Sequence, residues 1–176
     1  KKQPALILKT SGAGFSIIDK SECIKKIESI KNFFPSDWKL PNVYLLHGDL
    51  SNTEMNNLYN HPKVKSLVSF THGEGFGRPL LEATFCDLPV IATGWSGQLD
   101  FLQAEKSLIV PCELKTVPEA VHWENIIIPD SKWADVSEST MYKAFNESFA
   151  NNDKYKKRAI ELGKENRDKF TLDKDF

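Results

Sequence analysis

Short apolar runs alternate with amphipathic stretches along the first two thirds of the chain. Ala5-Leu6-Ile7-Leu8 is continuously apolar, as a strand covered on both faces must be. Lys9-Thr10-Ser11-Gly12-Ala13-Gly14 follows with the composition of a loop. Between Ser21 and Phe34 the apolar residues Ile24, Ile27, Ile30 and Phe34 recur at helical spacing, and Pro35 and Asp37 stop that helix. Val43-Tyr44-Leu45-Leu46 predicts a second strand, closed by His47-Gly48-Asp49. Ser51-Asn52-Thr53-Glu54 has the spacing of a capping box and starts a helix that runs to about Tyr59. Val64–Phe70 predicts a third strand, and after a glycine-rich turn a helix runs from Pro79 to Cys86. Pro89–Ala92 and Ser107–Val110 predict the fourth and fifth strands.

Strands that alternate with helices across short connections imply an α/β fold, a parallel sheet with helices on both faces. Ligands of such sheets sit beyond the carboxyl ends of the strands, and the loops after Leu8, Leu46 and Phe70 all lie at that edge. After Pro111 the texture changes. Residues 112–133 hold short β-like runs (Leu114–Val117, Ile126–Ile128) and the tryptophans Trp123 and Trp133, which predicts an irregular or hairpin-like insertion. Residues 137–170 read as two charged helices, with Met141, Phe145 and Phe149 and then Tyr155, Ala159 and Leu162 as their buried faces. Residues 1–176 are expected to form one domain.

Composition narrows the function more than the fold. Lys and Arg number 23 against 24 Asp and Glu, a net charge of −1, which offers no basic field for nucleic acid. Cys23, Cys86 and Cys112 form an odd, sparse set without a C-x-x-C pair, so neither a disulfide framework nor a zinc site is expected, and a reducing, cytoplasmic setting is. No apolar run is long enough to span a bilayer. Lys1-Lys2-Gln3-Pro4 leads into only about five apolar residues, too few for a signal peptide.

The chemistry concentrates in Ser69-Phe70-Thr71-His72-Gly73-Glu74-Gly75-Phe76-Gly77-Arg78-Pro79-Leu80-Leu81-Glu82-Ala83. A strand ends, glycines follow, and a helix starts with Pro79 near its first position. Glycines allow a backbone to approach a ligand closely, and the unpaired N–H groups of a helix start attract anions. Gly75, Phe76, Gly77, Arg78 and Leu80 are therefore candidates to present N–H groups to a diphosphate, whereas Pro79 has none. Glu82 lies about one turn into the helix and leans back toward its start. A carboxylate there is repelled by phosphate and suits a donor such as a ribose diol. Glu74, in the loop, would face a sugar on the other side of the phosphates. Two plainer readings stand beside these. The helix dipole favours a glutamate in any first turn, and glycines between strand and helix are often only a tight turn.

Glu74-Gly75-Phe76-Gly77-Arg78-Pro79-Leu80-Leu81-Glu82-Ala83, followed by Leu88-Pro89-Val90-Ile91-Ala92-Thr93, resembles the E-x7-E segment of group 1 (family 4) glycosyltransferases. The resemblance is specific from Ser66 to Leu102 and takes in Gly94-Trp95-Ser96-Gly97-Gln98-Leu99-Asp100-Phe101 as the family's next loop. It is weaker over Leu6–Leu50, at Trp133-Ala134 and at Lys169-Phe170-Thr171. It implies a GT-B fold of two Rossmann-like domains, of which this chain is the C-terminal, donor-binding one. It also implies retaining transfer of a sugar from a nucleotide-diphosphate donor to a glycan, lipid or protein acceptor, without cofactor or metal. By position Glu82 would hold the ribose, Glu74 would be the catalytic carboxylate by the donor sugar, and the backbone of Gly75–Arg78 would serve sugar and phosphates. The backbone of Asp49 and Leu50 would read the base edge, and Lys9 is a candidate for diphosphate charge, although a surface lysine is the commoner explanation.

The chain departs from the family pattern in places. The family's upstream G-R…K-G element, whose basic residues grip the diphosphate, is missing, as are the N-terminal acceptor domain and the terminal helix that returns to it. Asp87 replaces a usual glycine and Asp100 a commoner glutamate. A fragment of a larger enzyme, inactive by itself, is the expectation. A non-catalytic sugar-nucleotide-binding module and another GT-B enzyme such as a nucleotide-sugar epimerase are the alternatives. Other signals are weaker. Ser11–Gly14 lacks the third glycine of a dinucleotide fingerprint, Ile17 standing in its place. Asp173-Lys174-Asp175 lies in a charged tail, and the four histidines lack metal spacing. His72 either lines the site or faces water, Trp95 either flanks the sugar pocket or covers the sheet edge, and Cys86 reads as a small core residue.

Overall fold

A computed structural model describes residues 3–10, 17–124 and 126–171. The chain divides into two compact units, Lys1–Met55 and Asn56–Phe176. The glycine loop at 11–14 and the acidic tail at 173–175 lie outside the described residues.

In the first unit β1 (Leu6–Thr10) pairs in parallel with β2 (Val43–His47), Leu6 opposite Val43 and Thr10 opposite His47. Parallel neighbours need a long crossover, and α1 (Ile17–Asn32) lies within it. The helical spacing marks α1, but not its burial: Ile24, Ile30 and Phe34 are exposed. A two-stranded ladder offers little apolar surface to cover, and no described residue from 3 to 55 is fully buried. Phe34 stacks instead on Trp38, their ring centres 5.9 Å apart. The capping box forms at the start of α2 (Asn52–Tyr59): the Ser51 N–H donates to Glu54 Oε2 at 2.8 Å and the Glu54 N–H to Ser51 Oγ at 3.3 Å. The Ser51 hydroxyl, which donates to Glu54 Oε2 at 2.7 Å, and then the Ser51 N–H hold the Glu54 carboxyl below its usual pKa.

The second unit holds β3 (Leu67–Ser69), α3 (Arg78–Phe85), β4 (Val90–Thr93) and β5 (Leu108–Val110), with the parallel strand order β3-β4-β5. The five parallel strands thus form two ladders, one in each unit. Val68 lies opposite Ile91, and Ile91 opposite Leu108, so these side chains share one face. They pack with Val110, Val136, Ala144 and Met141, the last two from α4 (Glu138–Ala150). The alternate residues Val90 and Ala92, also buried, point to the opposite face, and α3 lies against β3 and β4. β6 (Glu113–Thr116) and β7 (Lys132–Asp135) pair antiparallel, Leu114 opposite Ala134.

One expected helix face is corrected. On α4 the residues turned inward are Ala144 and Ser148, while Phe145 and Phe149 are exposed. Small side chains let the helix lie close to the strands, and Phe145 turns along the flank, edge-on to Phe70 at 5.6 Å. On α5 (Asn152–Phe170) Tyr155, Ala159 and Leu162 are buried as the periodicity predicts, joined by Gly163 and Asn166.

Candidate functional site

The glycine-rich turn between β3 and α3 is built from two loops. Gly97 donates its N–H to the Glu74 carbonyl at 3.1 Å, and Ser96 Oγ donates to the same oxygen at 2.7 Å. A Cβ on Gly97 would lie 2.2 Å from the Gly75 carbonyl oxygen, so only glycine permits this approach. Gln98, 1% exposed, donates from Nε2 to the Thr93 carbonyl at 2.9 Å, and Thr93 Oγ1 donates to the Thr71 carbonyl at 3.0 Å. These bonds tie the carboxyl ends of β3 and β4 to one scaffold.

Gly77, at φ 85°, turns the chain into α3. Pro79 is the second helical residue, near the start as expected. The N–H groups of Gly75, Phe76, Gly77 and Arg78 meet no acceptor among the described residues. The Leu80 N–H differs from expectation: it donates to the Gly77 carbonyl at 2.9 Å and is not offered to a ligand. It is the third residue of the helix, and the tight first turn closes on it. Four successive N–H groups ahead of a helix dipole form a place for an anion.

The carboxylates differ in setting. Glu82, partly exposed, accepts from Arg78 Nε at 2.7 Å across one helical turn. It also faces Tyr59 of α2. Burial pushes the Tyr59 phenol up to about 12, and the charge of Glu82 adds to the rise. Glu74 is half-buried, its main chain held by the 96–97 loop. Cys86, half-buried, caps the end of the same helix, its thiol raised mainly by burial, and Sγ donates to Asn56 Oδ1 at 3.4 Å. Phe76 is exposed, its ring centre 5.3 Å from that of Phe101 and 6.2 Å from that of Phe170.

Beside the turn, His72 stacks face to face on Trp133, ring centres 3.9 Å apart and planes 5° from parallel. Its Nδ1 lies 2.6 Å from the Ala134 carbonyl oxygen. Sequence reasoning missed this pairing, and it missed Gln98, because both depend on partners distant in the chain. In the first unit, Lys9 lies exposed within β1, and Asp49 and Leu50 follow β2 at the carboxyl edge of that ladder. Among the described residues no cluster of His, Cys, Asp and Glu is arranged to hold a metal, and no helix is long and apolar enough to cross a membrane.

Fold and site together define an α/β protein whose parallel strands end in a glycine turn and a helix start open to an anion. Residues 37–123 match the family model of glycosyl transferases group 1. Among solved structures, sucrose-phosphate synthase from Thermosynechococcus elongatus is similar, with a TM-score of 0.57 and 19% identity over 93% of this chain. That likeness shows a GT-B-type fold, and the chain spans 33% of that protein's length. No curated protein sequence matches the chain. The family match points to a glycosyltransferase, and the structural likeness bears on the fold alone.

Proposed function

We propose that this chain is donor-binding machinery of a retaining, family 4 glycosyltransferase that uses a nucleotide-diphosphate sugar. The carrying observation is the turn at Gly75–Arg78, whose four N–H groups meet no acceptor among the described residues and whose flanks carry Glu74 and Glu82. This segment lies within the matched residues 37–123.

In this reading the N–H groups and the dipole of α3 meet the diphosphate. Glu82 gives up its exposed pair with Arg78, which contributes little, for charge-assisted hydrogen bonds from the ribose diol. Glu74 borders the donor sugar. Stabilising the departing diphosphate electrostatically supplies much of the rate, and the reading calls for no metal and no protein nucleophile in this part of the enzyme. The reading places the reaction in the cytoplasm.

Titration of the chain with UDP, GDP and their sugar forms, by calorimetry, tests the proposal. One nucleotide is expected to bind, and Glu82→Ala to weaken it by about tenfold, the loss of roughly one strong hydrogen bond to a charged group. Binding that Glu82→Ala leaves unchanged removes the ribose role. The absence of any nucleotide binding at millimolar concentration refutes the proposal for this chain.

A further inference from the structure

The ring of His72 is held more firmly than a surface histidine requires. A carbonyl oxygen only accepts, so the 2.6 Å contact with Ala134 places the ring proton on Nδ1. The stack on Trp133 fixes the tilt of the ring. The His72 carbonyl accepts the Ala134 N–H at 3.1 Å, which fixes the main chain. Main chain, tilt and tautomer are thus all set by β7, a strand some sixty residues further along. Ordering an exposed side chain costs conformational entropy, and here that cost leaves Nε2, a lone-pair acceptor, without a partner among the described residues.

The surroundings say what such an acceptor meets. His72 lies two residues before Glu74. A Cβ on the intervening Gly73 would lie 4.0 Å from both Trp95 Cδ1 and Ser96 Oγ. The turn therefore has the exposed indole of Trp95 near Gly73, and the stacked His72–Trp133 pair adjoins it through the neighbouring residue. Flat aromatic surfaces beside a few rigid polar atoms suit a ligand with apolar ring faces and a rim of hydroxyls. A lone pair repels phosphate oxygens and accepts from a hydroxyl.

We propose that His72 is a specificity-determining residue for the donor sugar, its Nε2 accepting a hydrogen bond from a hexose hydroxyl. The proposal rests on the reading of this turn as a nucleotide-sugar site. The test uses the whole chain with its histidines labelled with ¹⁵N, in mildly alkaline buffer. UDP and UDP-glucose, and GDP and GDP-mannose, are titrated against it. Long-range ¹H–¹⁵N spectra of the free chain should show His72 protonated at Nδ1. The nucleotide sugar should move the Nε2 signal in the direction of an accepted hydrogen bond, and the bare diphosphate should leave it in place.

Calorimetry supplies the second measurement. His72→Phe keeps a flat ring against Trp133 but no nitrogen. It should leave affinity for the diphosphate within about twofold and lower affinity for the nucleotide sugar about tenfold, and His72→Gln, which retains an acceptor, should lose less. Equal losses for both ligands, no loss for either, or an Nε2 signal that moves equally with the bare diphosphate would overturn the role of His72 while leaving the nucleotide site standing. A chain that binds neither diphosphate nor nucleotide sugar overturns the site itself and this role with it.

Discussion

At the scale of single residues, the site's chemistry depends on groups whose settings differ from those of free side chains. Tyr59 is the clearest. It is 7% exposed, and burial first, then Glu82 and Cys86, raise its phenol to about 12 from 10.0. The unfolded chain releases that proton near pH 10 and the folded chain near 12. Between those values the unfolded state binds fewer protons, so the stability contributed by the neutral phenol is complete below pH 10 and is lost as pH rises toward 12. Denaturant melts across this window should show Tyr59→Phe losing less stability than the wild type. Equal losses would show that the phenol is not shielded. Glu82 and Tyr59 share one environment, so the residue assigned to the ribose also bears on the fold beneath it. The carboxylate pair was legible in the sequence, since Glu74 and Glu82 bracket the glycines and the helix start. The commitment of the Leu80 N–H to Gly77 was not, because it depends on the left-handed turn at Gly77 and not on residue type.

At the scale of elements, α3 is held at both ends. Its start is set by the Gly75–Gly97 approach. Its end is a Schellman cap, with the Leu88 N–H on the Ala83 carbonyl at 3.0 Å and the Asp87 N–H on the Thr84 carbonyl at 2.9 Å. Asp87 occupies the left-handed position, φ 54°, that usually takes glycine. Its carboxylate accepts from Arg167 of α5 at 2.8 Å, which offsets part of the backbone cost. Beside it a Cβ on Gly163 would lie 2.2 Å from Asp87 Oδ1, so α5 packs directly on this end of α3. Asn166 completes the junction. Its Nδ2 donates to Thr84 Oγ1 at 2.9 Å and to the Phe101 carbonyl at 3.2 Å, and the residue is 3% exposed. Asn166→Ala leaves a buried carbonyl without its donor and is expected to cost roughly 1–3 kcal/mol in denaturant unfolding. A change within a few tenths would show that water replaces the amide. Because α3 carries the turn proposed to bind the diphosphate, the same variant should weaken nucleotide binding only as far as it loosens the helix.

At the scale of the whole molecule, stability is distributed unevenly. Every buried hydrophobic residue among those described lies between Tyr59 and Leu162, in the second unit. The first unit has two paired strands and a helix with exposed isoleucines. Amide exchange should therefore be slowest in β4, whose four residues are all buried, and faster throughout β1 and β2. Mass-spectrometric exchange at peptide resolution checks this, and equal protection of β1 and β4 would contradict it. The match to glycosyl transferases group 1 spans the boundary between the units, from residue 37 to 123.

Local pattern by itself determined the alternation of strands and helices, the capping box at Ser51, the hairpin-like texture before β7 and the glycine turn with its two glutamates. Each of these is specified by neighbours in the chain: apolar period, cap spacing, or glycine between strand and helix. Tertiary structure alone decided which helix faces are covered, as Ala144 and Ser148 in place of Phe145 and Phe149 show, because closeness of approach outweighs hydrophobicity at a helix–sheet contact. It alone brought Gly97 under Gly75 and Trp133 against His72. Those contacts join residues about twenty and sixty positions apart, and local periodicity carries no information over such distances.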